Sequence, residues 1–215
     1  YVTYMFFPSS GGGHVYFCKS TDGGASFATP VLIDNIGDNN RPRIAVWGTG
    51  ATARVYVAYV YWYDYPDLDI YCGYSVNGGA SFSIKGIATS TEYEDAPSIA
   101  VDNSNYVYIA WGQAITSGGG CDEETIDTYI MCQTFSNITS SPINSYYIAH
   151  TDGHQEWAPS IDVYGGGYSS TLHCAYMYDY GGDSSDDYDI RYRKVTNAGS
   201  SSPSVGSVVW IAAST

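Results

Sequence analysis

The chain has 215 residues and carries 22 Asp and Glu against 8 Lys and Arg, a formal net charge of -14. Nucleic acids and anionic membrane surfaces both attract clustered basic residues, so neither is an expected partner. No run of 18 consecutive apolar residues is present, which argues against membrane insertion. The 23 tyrosines and 24 glycines suit pleated strands joined by tight turns, and they predict an all-β protein.

In chain order, the predicted strands repeat a pattern of four. The first strand of a repeat contains a proline and then alternates, at 41–46, 96–101 and 158–163. The second places a small residue before an aromatic one, at 2–4, 57–59, 109–111 and 174–176. The third starts at 69, 127 and 189 after an acidic loop, with 14–16 in the equivalent place. The fourth closes each unit at 31–33, 84–88, 146–149 and 208–211.

Each repeat therefore predicts four antiparallel strands of roughly five residues, which is the pattern of one β-propeller blade. We predict a single β-propeller domain over 1–215, with blades at about 1–38, 39–93, 94–152 and 153–215. A β-sandwich is the alternative, although it does not require a four-strand repeat. Because the first repeat begins at its second strand, the ring is either incomplete, as in a fragment of a larger propeller, or completed by a strand of another chain.

The turn between the third and fourth strands carries a second repeated motif. Segment 20–27 reads Ser-Thr-Asp-Gly-Gly-Ala-Ser-Phe, and 75–82 repeats it with Val and Asn replacing Thr and Asp. This motif resembles the Asp-box of the sialidase-like, bacterial neuraminidase repeat propellers; 195–199 is a degenerate copy, and 136–139 has lost the signature. We expect these side chains to form structural turns: Ser20, Asp22, Gly24 and Phe27, and Ser75, Asn77, Gly79 and Phe82.

As an enzyme, the resemblance implies hydrolysis of terminal sialic acid by three arginines, a Tyr–Glu nucleophile pair and an Asp acid/base. This chain has no Arg-Ile-Pro sequence, and of its five arginines only Arg41 precedes a first strand. No catalytic residue is therefore predicted. A sialidase-type glycoside hydrolase stays as an alternative.

The acidic residues cluster between second and third strands, in loops expected on one rim of the ring. Carboxylates of flexible loops are ligands for Ca²⁺, so calcium is the candidate cofactor. The candidate metal ligands are Asp64, Asp67, Asp69, Asp183, Asp186, Asp187 and Asp189. The alternatives are a solvated acidic rim, and capping of the third strand by Asp69, Asp127 and Asp189.

Two tryptophans near the acidic rim, Trp62 and Trp157, are candidates for stacking on sugar rings, with packing between blades as the alternative. Asn137 begins the one glycosylation sequon, Asn-Ile-Thr. Five cysteines allow at most two internal disulfides: Cys121 and Cys132 would form a hairpin staple, and unpaired buried thiols are the alternative.

These features predict an extracellular or cell-surface propeller that acts as a non-catalytic binding or assembly module. Its partner would be a glycan or a surface protein. A structural subunit of a surface filament or layer, completed at its unclosed ends by neighbouring chains, is the second alternative.

Overall fold

The computed structural model describes residues 1–64, 67–115, 127–179 and 188–212, except for the side chains of Tyr63, Asp64 and Ile115. Within these residues the protein is all-β, with two single-turn 3-10 helices at Gly50–Thr52 and Gly167–Ser169. No helix in this part of the chain is long and apolar enough to cross a membrane.

The strands form four consecutive units. Unit 1 contains β1 (Val2–Phe6), β2 (His14–Cys18) and β3 (Val31–Asp34). Unit 2 contains β4 (Asp38–Trp47), β5 (Arg54–Asp64), β6 (Asp67–Ser75) and β7 (Ser83–Ala88). Unit 3 contains β8 (Tyr93–Val101), β9 (Val107–Ile115), β10 (Asp127–Phe135) and β11 (Asn144–Ala149). Unit 4 contains β12 (Gln155–Tyr164), β13 (Thr171–Asp179), β14 (Tyr188–Thr196), β15 (Ser204–Val205) and β16 (Val209–Ala212).

Within each unit, consecutive strands pair antiparallel. In unit 4 the outermost strand is split, because both β15 and β16 pair with β14. Units 3 and 4 are joined into one nine-stranded sheet by a short parallel contact of Thr128 with Gln155. The alternation along the strands places side chains on both faces of each sheet, and the faces between neighbouring units are buried.

The strands are longer than the five residues expected from the sequence. β5 has 11 residues and β6 has 9, and only positions 65 and 66 separate them. Asp67 therefore lies in β6 and Asp64 ends β5, so the prediction that these two residues occupy a loop is wrong. Asp69 lies in β6, as the predicted start of the third strand at this residue requires. The extension keeps their backbone groups paired in the ladder up to the end of the sheet.

The core consists of three layers, each between the facing sheets of two successive units. Val15, Phe17 and Ile33 of unit 1 pack on Val55, Val57 and Tyr59 of unit 2. The second layer joins units 2 and 3, around Ile70, Cys72, Ile109 and Trp111. The third joins units 3 and 4, around Ile130, Cys132, Leu172 and Tyr176. We call the face that a unit turns to the next unit its leading face, and the opposite one its trailing face.

The first strands of units 2, 3 and 4 lie side by side, since β8 contacts both β4 and β12. In unit 1, where the corresponding position is not filled, β1 contacts β4. Two contacts near the first residues of these strands, Arg41 with Asp95 and Tyr93 with Trp157, show that the beginnings of β4, β8 and β12 converge.

The cysteines in the described residues are free thiols: Cys18, Cys72, Cys132 and Cys174. The suggested disulfide partner of Cys132, Cys121, lies outside the described residues. Burial raises the pKa of the Cys72 and Cys132 thiols to about 12, so both are protonated and unreactive at neutral pH.

Candidate functional site

Each of the three converging strands contains a β-bulge just before its proline. Arg41, Ala96 and Ala158 have left-handed φ angles of 51°, 52° and 48°, and the pairing register shifts at the same place in β4, β8 and β12. A non-glycine residue in this region costs about 1–2 kcal/mol. The same β-bulge therefore occurs in three units, and it changes the direction of the side chains at the start of each strand.

Three residues before each proline, a polar side chain is buried. Asn39, Glu94 and Glu156 are at most 1% exposed. The Asn39 amide donates to the Ile36 carbonyl at 2.9 Å. The Ser90 hydroxyl donates to one carboxylate oxygen of Glu94, whereas the other has no partner. Burial raises the pKa of Glu156, and hydrogen bonding from Thr151 opposes this shift.

The bulges of units 2 and 3 border an open cleft of about 270 Å³ between units 1, 2 and 3. The cleft is lined by residues of three units. Unit 1 contributes Met5, and unit 3 contributes Tyr93 and Asp95. Unit 2 contributes Asn40, Arg41, Trp62 and Leu68. The Arg41 guanidinium forms an ion pair with the Asp95 carboxylate. The arginine side chain is 53% exposed and the aspartate 8%, so the buried carboxylate holds a guanidinium that still faces the cleft.

Two carboxyl groups near the cleft strands, Asp69 of β6 and Glu94 of β8, have raised pKa values. Burial, with a smaller contribution from the negative charge of Asp67, raises the pKa of Asp69 to about 6. Burial also raises the pKa of Glu94 to about 7, and the charges of Asp69, Asp67 and Glu92 add to the effect.

The two predicted tryptophans are linked through one tyrosine. Trp62 lines the cleft together with Tyr93, and the Tyr93 ring meets the edge of Trp157 at a centroid distance of 6.4 Å. Trp157 is half-buried, lies over Gly112 and donates from its indole nitrogen to Gln155 at 3.1 Å. Trp157 therefore packs between units 3 and 4, whereas Trp62 is 36% exposed in the cleft.

The predicted calcium ligands do not form a metal site in the described residues, since no three Asp, Glu, His or Cys groups there are placed to hold an ion. Asp189 is buried at the start of β14. Asp183, Asp186, Asp187 and the Asp64 side chain lie outside the described residues, so calcium binding by the loops of which they form part stays a prediction.

The turns at 20–27 and 75–82 have matching hydrogen bonds. The Ser20 hydroxyl accepts the Gly24 N–H at 2.8 Å, and Ser75 accepts the Gly79 N–H at 3.0 Å. Asp22 and Asn77 each accept the backbone N–H four residues later at 3.0 Å. The Ser26 hydroxyl and N–H, together with Ser20, hold the pKa of the Asp22 carboxyl well below its usual range. The neutral Asn77 contacts the equivalent serines, with its amide nitrogen donating to the Ser81 hydroxyl at 2.8 Å, so the turn does not depend on a charge.

The aromatic residues of the two turns differ in environment. Phe82 packs on Phe17 of unit 1 at a centroid distance of 5.2 Å, whereas Phe27 is 48% exposed. The later units keep the turn without the signature, because Ser140 and Ser200 donate their N–H groups to the carbonyls of Asn137 and Asn197 at 3.0 and 2.9 Å.

Asn137, the sequon residue, is exposed in its turn, and its side-chain oxygen accepts the Thr139 N–H at 3.2 Å. Its glycosylation stays a prediction.

All five arginines lie in the described residues, and Arg41 is the one that lines the cleft. Arg191 instead lies 3.1 Å above the ring centre of Tyr178 and 4.3 Å from that of Trp210, within unit 4. A clamp of three arginines is therefore not assembled in the cleft.

Sequence reasoning missed Asp95, Leu68 and Met5 as cleft residues. For Asp95 the sequence did contain a signal: it lies two residues before a repeated proline, as Asn40 and Trp157 do.

No protein-family model and no curated protein matches this chain. Among solved structures, the chain is similar to the Trypanosoma rangeli sialidase in complex with 2,3-difluorosialic acid, a covalent intermediate. The TM-score is 0.34 at 11% sequence identity, over 77% of this chain and 36% of the sialidase. The chain thus spans about a third of that protein's length, and no functional residue is transferred from so weak a likeness.

Proposed function

We propose that the four units are blades of a β-propeller and that the chain is a non-catalytic, extracellular module that binds a carbohydrate in the cleft between units 1, 2 and 3. The observation that carries the proposal is the placement of an exposed tryptophan beside a half-exposed arginine. Trp62 and Tyr93 offer apolar surfaces to the C–H faces of a sugar ring. Arg41, fixed by Asp95, offers N–H donors to hydroxyl or carboxylate oxygens.

The proposal assigns no reaction to the protein, because its sequence predicts no catalytic residues. Glu94 and Asp69 have raised pKa values, yet burial explains both shifts first. The cleft contains one arginine, and its charge is paired with Asp95. Binding of a sugar without a reaction requires only the aromatic rings of Trp62 and Tyr93 and the N–H donors of Arg41.

A glycan array followed by calorimetry on the retained glycan tests the proposal. Trp62→Ala is expected to weaken binding at least about tenfold, because a central aromatic contact is removed. Trp47→Ala is the matched control: Trp47 is 37% exposed against 36% for Trp62, but it lies at the opposite end of β4. It should leave affinity within about twofold.

Three results would overturn the proposal: a wild-type protein that retains no glycan, equal losses in the two tryptophan variants, or turnover of a fluorogenic sialoside. The last would favour the glycoside hydrolase alternative.

A further inference from the structure

The arginine of the cleft is already paired with a carboxylate, and this pairing bears on which sugars the cleft can hold. The Arg41 guanidinium is bonded to one carboxylate oxygen of Asp95, and both residues line the cleft. The other oxygen of Asp95 accepts the Ala96 N–H at 2.5 Å, which fixes the carboxylate from a second direction. Because the Asp95 side chain is only 8% exposed, its negative charge stays beside any ligand group that Arg41 contacts.

The pairing opposes the binding of an acidic sugar. A lone guanidinium attracts a carboxylate strongly, because it offers a full positive charge and a planar fork of N–H donors. Here the Asp95 carboxylate occupies one nitrogen of that fork and balances its charge. A sugar carboxylate that approached Arg41 would meet a like charge beside it, and juxtaposed like charges weaken binding. The ion pair therefore gives an acidic sugar little net attraction.

The same pair suits the hydroxyl groups of a neutral sugar. A hydroxyl both donates and accepts hydrogen bonds, whereas Arg41 only donates and the Asp95 carboxylate only accepts. Each carboxylate oxygen has two lone pairs, so Asp95 can accept further bonds beside those from Arg41 and Ala96. Two adjacent hydroxyl groups of a pyranose ring can therefore accept from Arg41 and donate to Asp95. The Asn40 amide, which also lines the cleft, offers both kinds of group.

The electrostatic surroundings of the cleft act in the same direction. The chain has a formal net charge of -14. The cleft residue Leu68 lies between two aspartates in β6, Asp67 and Asp69. Burial raises the pKa of Glu94 at the start of β8, and the negative charges of nearby carboxylates add to the effect; they are Asp69, Asp67 and Glu92. A further anion bound at this place would meet the same repulsion, whereas a neutral ligand would not.

We propose that the cleft selects neutral hexopyranoses with adjacent hydroxyl groups over acidic sugars, and that Asp95 is the residue that sets this selectivity. The inference rests on the proposed carbohydrate-binding function and narrows its class of ligand. Asp95 acts on acidic sugars by cancelling the charge of Arg41, and on neutral sugars as a hydrogen-bond acceptor. Trp62 and Tyr93 contribute aromatic surface to either class, so they do not distinguish the two.

A glycan array printed with matched pairs tests the selectivity. The two members of a pair end in the same sugar ring, with a neutral CH2OH group in one and a carboxylate in the other. The pairs are glucose with glucuronic acid, galactose with galacturonic acid, and mannose with mannuronic acid. Calorimetry on the retained pair then gives both affinities. The wild-type protein should bind the neutral member more than about tenfold tighter than the acidic one. This comparison requires no variant.

Asp95→Asn isolates the effect of the charge. Asparagine keeps an oxygen for the Ala96 N–H but removes the negative charge beside Arg41. The affinity for the acidic member should rise more than about tenfold, and added salt should reduce this gain. Asp162→Asn is the matched control: Asp162 also accepts the N–H of the next residue, Val163, at 2.9 Å, but it is exposed near the opposite end of β12. It should leave both affinities within about twofold.

The outcomes separate this inference from the function on which it rests. A wild-type protein that retains no glycan would overturn carbohydrate binding and the selectivity together. Tighter binding of the acidic member by the wild type would overturn the selectivity alone, provided that Trp62→Ala still weakens the binding. An unchanged ratio of the two affinities in folded Asp95→Asn would likewise show that this residue does not set the preference.

Discussion

Replacing Glu94 with glutamine should remove a pH-dependent loss of stability. The carboxyl group is 1% exposed, one of its oxygens has no hydrogen-bond partner, and its pKa is raised from the ordinary 4.5 to about 7. Burial is the main cause, and the negative charges of Asp69, Asp67 and Glu92 act in the same direction. The folded protein therefore favours the neutral acid, which an amide resembles at every pH.

The sign and size follow from proton linkage. A group whose pKa is raised on folding stabilises the protein fully below its unfolded pKa near 4.5, and this contribution is lost as the pH rises through 7. A difference of about 2.5 pKa units corresponds to about 3 kcal/mol. Relative to the wild type, Glu94→Gln should thus gain about 3 kcal/mol in the free energy of unfolding between pH 4 and pH 8.

Urea denaturation followed by tryptophan fluorescence, at intervals from pH 4 to pH 8, measures this difference. A buried amide adds a constant offset, so the slope of the difference against pH is the quantity to compare. Glu92→Gln, which removes a charge from the partly exposed residue two positions earlier, should change by less than about 1 kcal/mol over the same range. Parallel curves for wild type and Glu94→Gln would refute the reasoning that this carboxyl is held neutral by burial.

Two further predictions concern the turns and the acidic loops. Gly24→Ala and Gly79→Ala both place a Cβ at positive φ, +94° and +85°, but only the Cβ at position 79 meets the Phe17 ring. We expect Gly24→Ala to lower the free energy of unfolding by about 1–2 kcal/mol. Gly79→Ala should lower it by about 1–3 kcal/mol more, and urea denaturation measures both. Equal losses would show that unit 2 does not rest on unit 1 through this turn. Calcium binding by the acidic loops predicts that excess chelator lowers the Tm, and an unchanged Tm would contradict it.

The strand repeat could be predicted from sequence because its signals are local. The prolines at 42, 97 and 159 and the period-two alternation after them locate β4, β8 and β12. The bulges were not predictable in the same way: Ala96 and Ala158 adopt left-handed φ angles that alanine does not signal. The strand lengths were underestimated because acidic residues suggested a loop, whereas Asp64 ends β5 and Asp67 begins β6.

The candidate site could be predicted only in part. Trp62 was expected at the acidic rim, and it does line the cleft. Its partner groups depend on contacts between units: the Arg41–Asp95 ion pair joins residues 54 positions apart in the chain. Burial of Glu94 also results from packing of β8 against its neighbours, and no local pattern distinguishes it from an exposed glutamate.

The buried free thiols allow the separation of neighbouring units to be measured by thiol labelling. Cys72 lies in the layer between units 2 and 3, while Cys132 and Cys174 share the layer between units 3 and 4. A thiol with 0% exposure can be alkylated only after its layer separates. Because each of these layers packs one unit on the next, the labelling rate of its cysteines measures how often that junction opens.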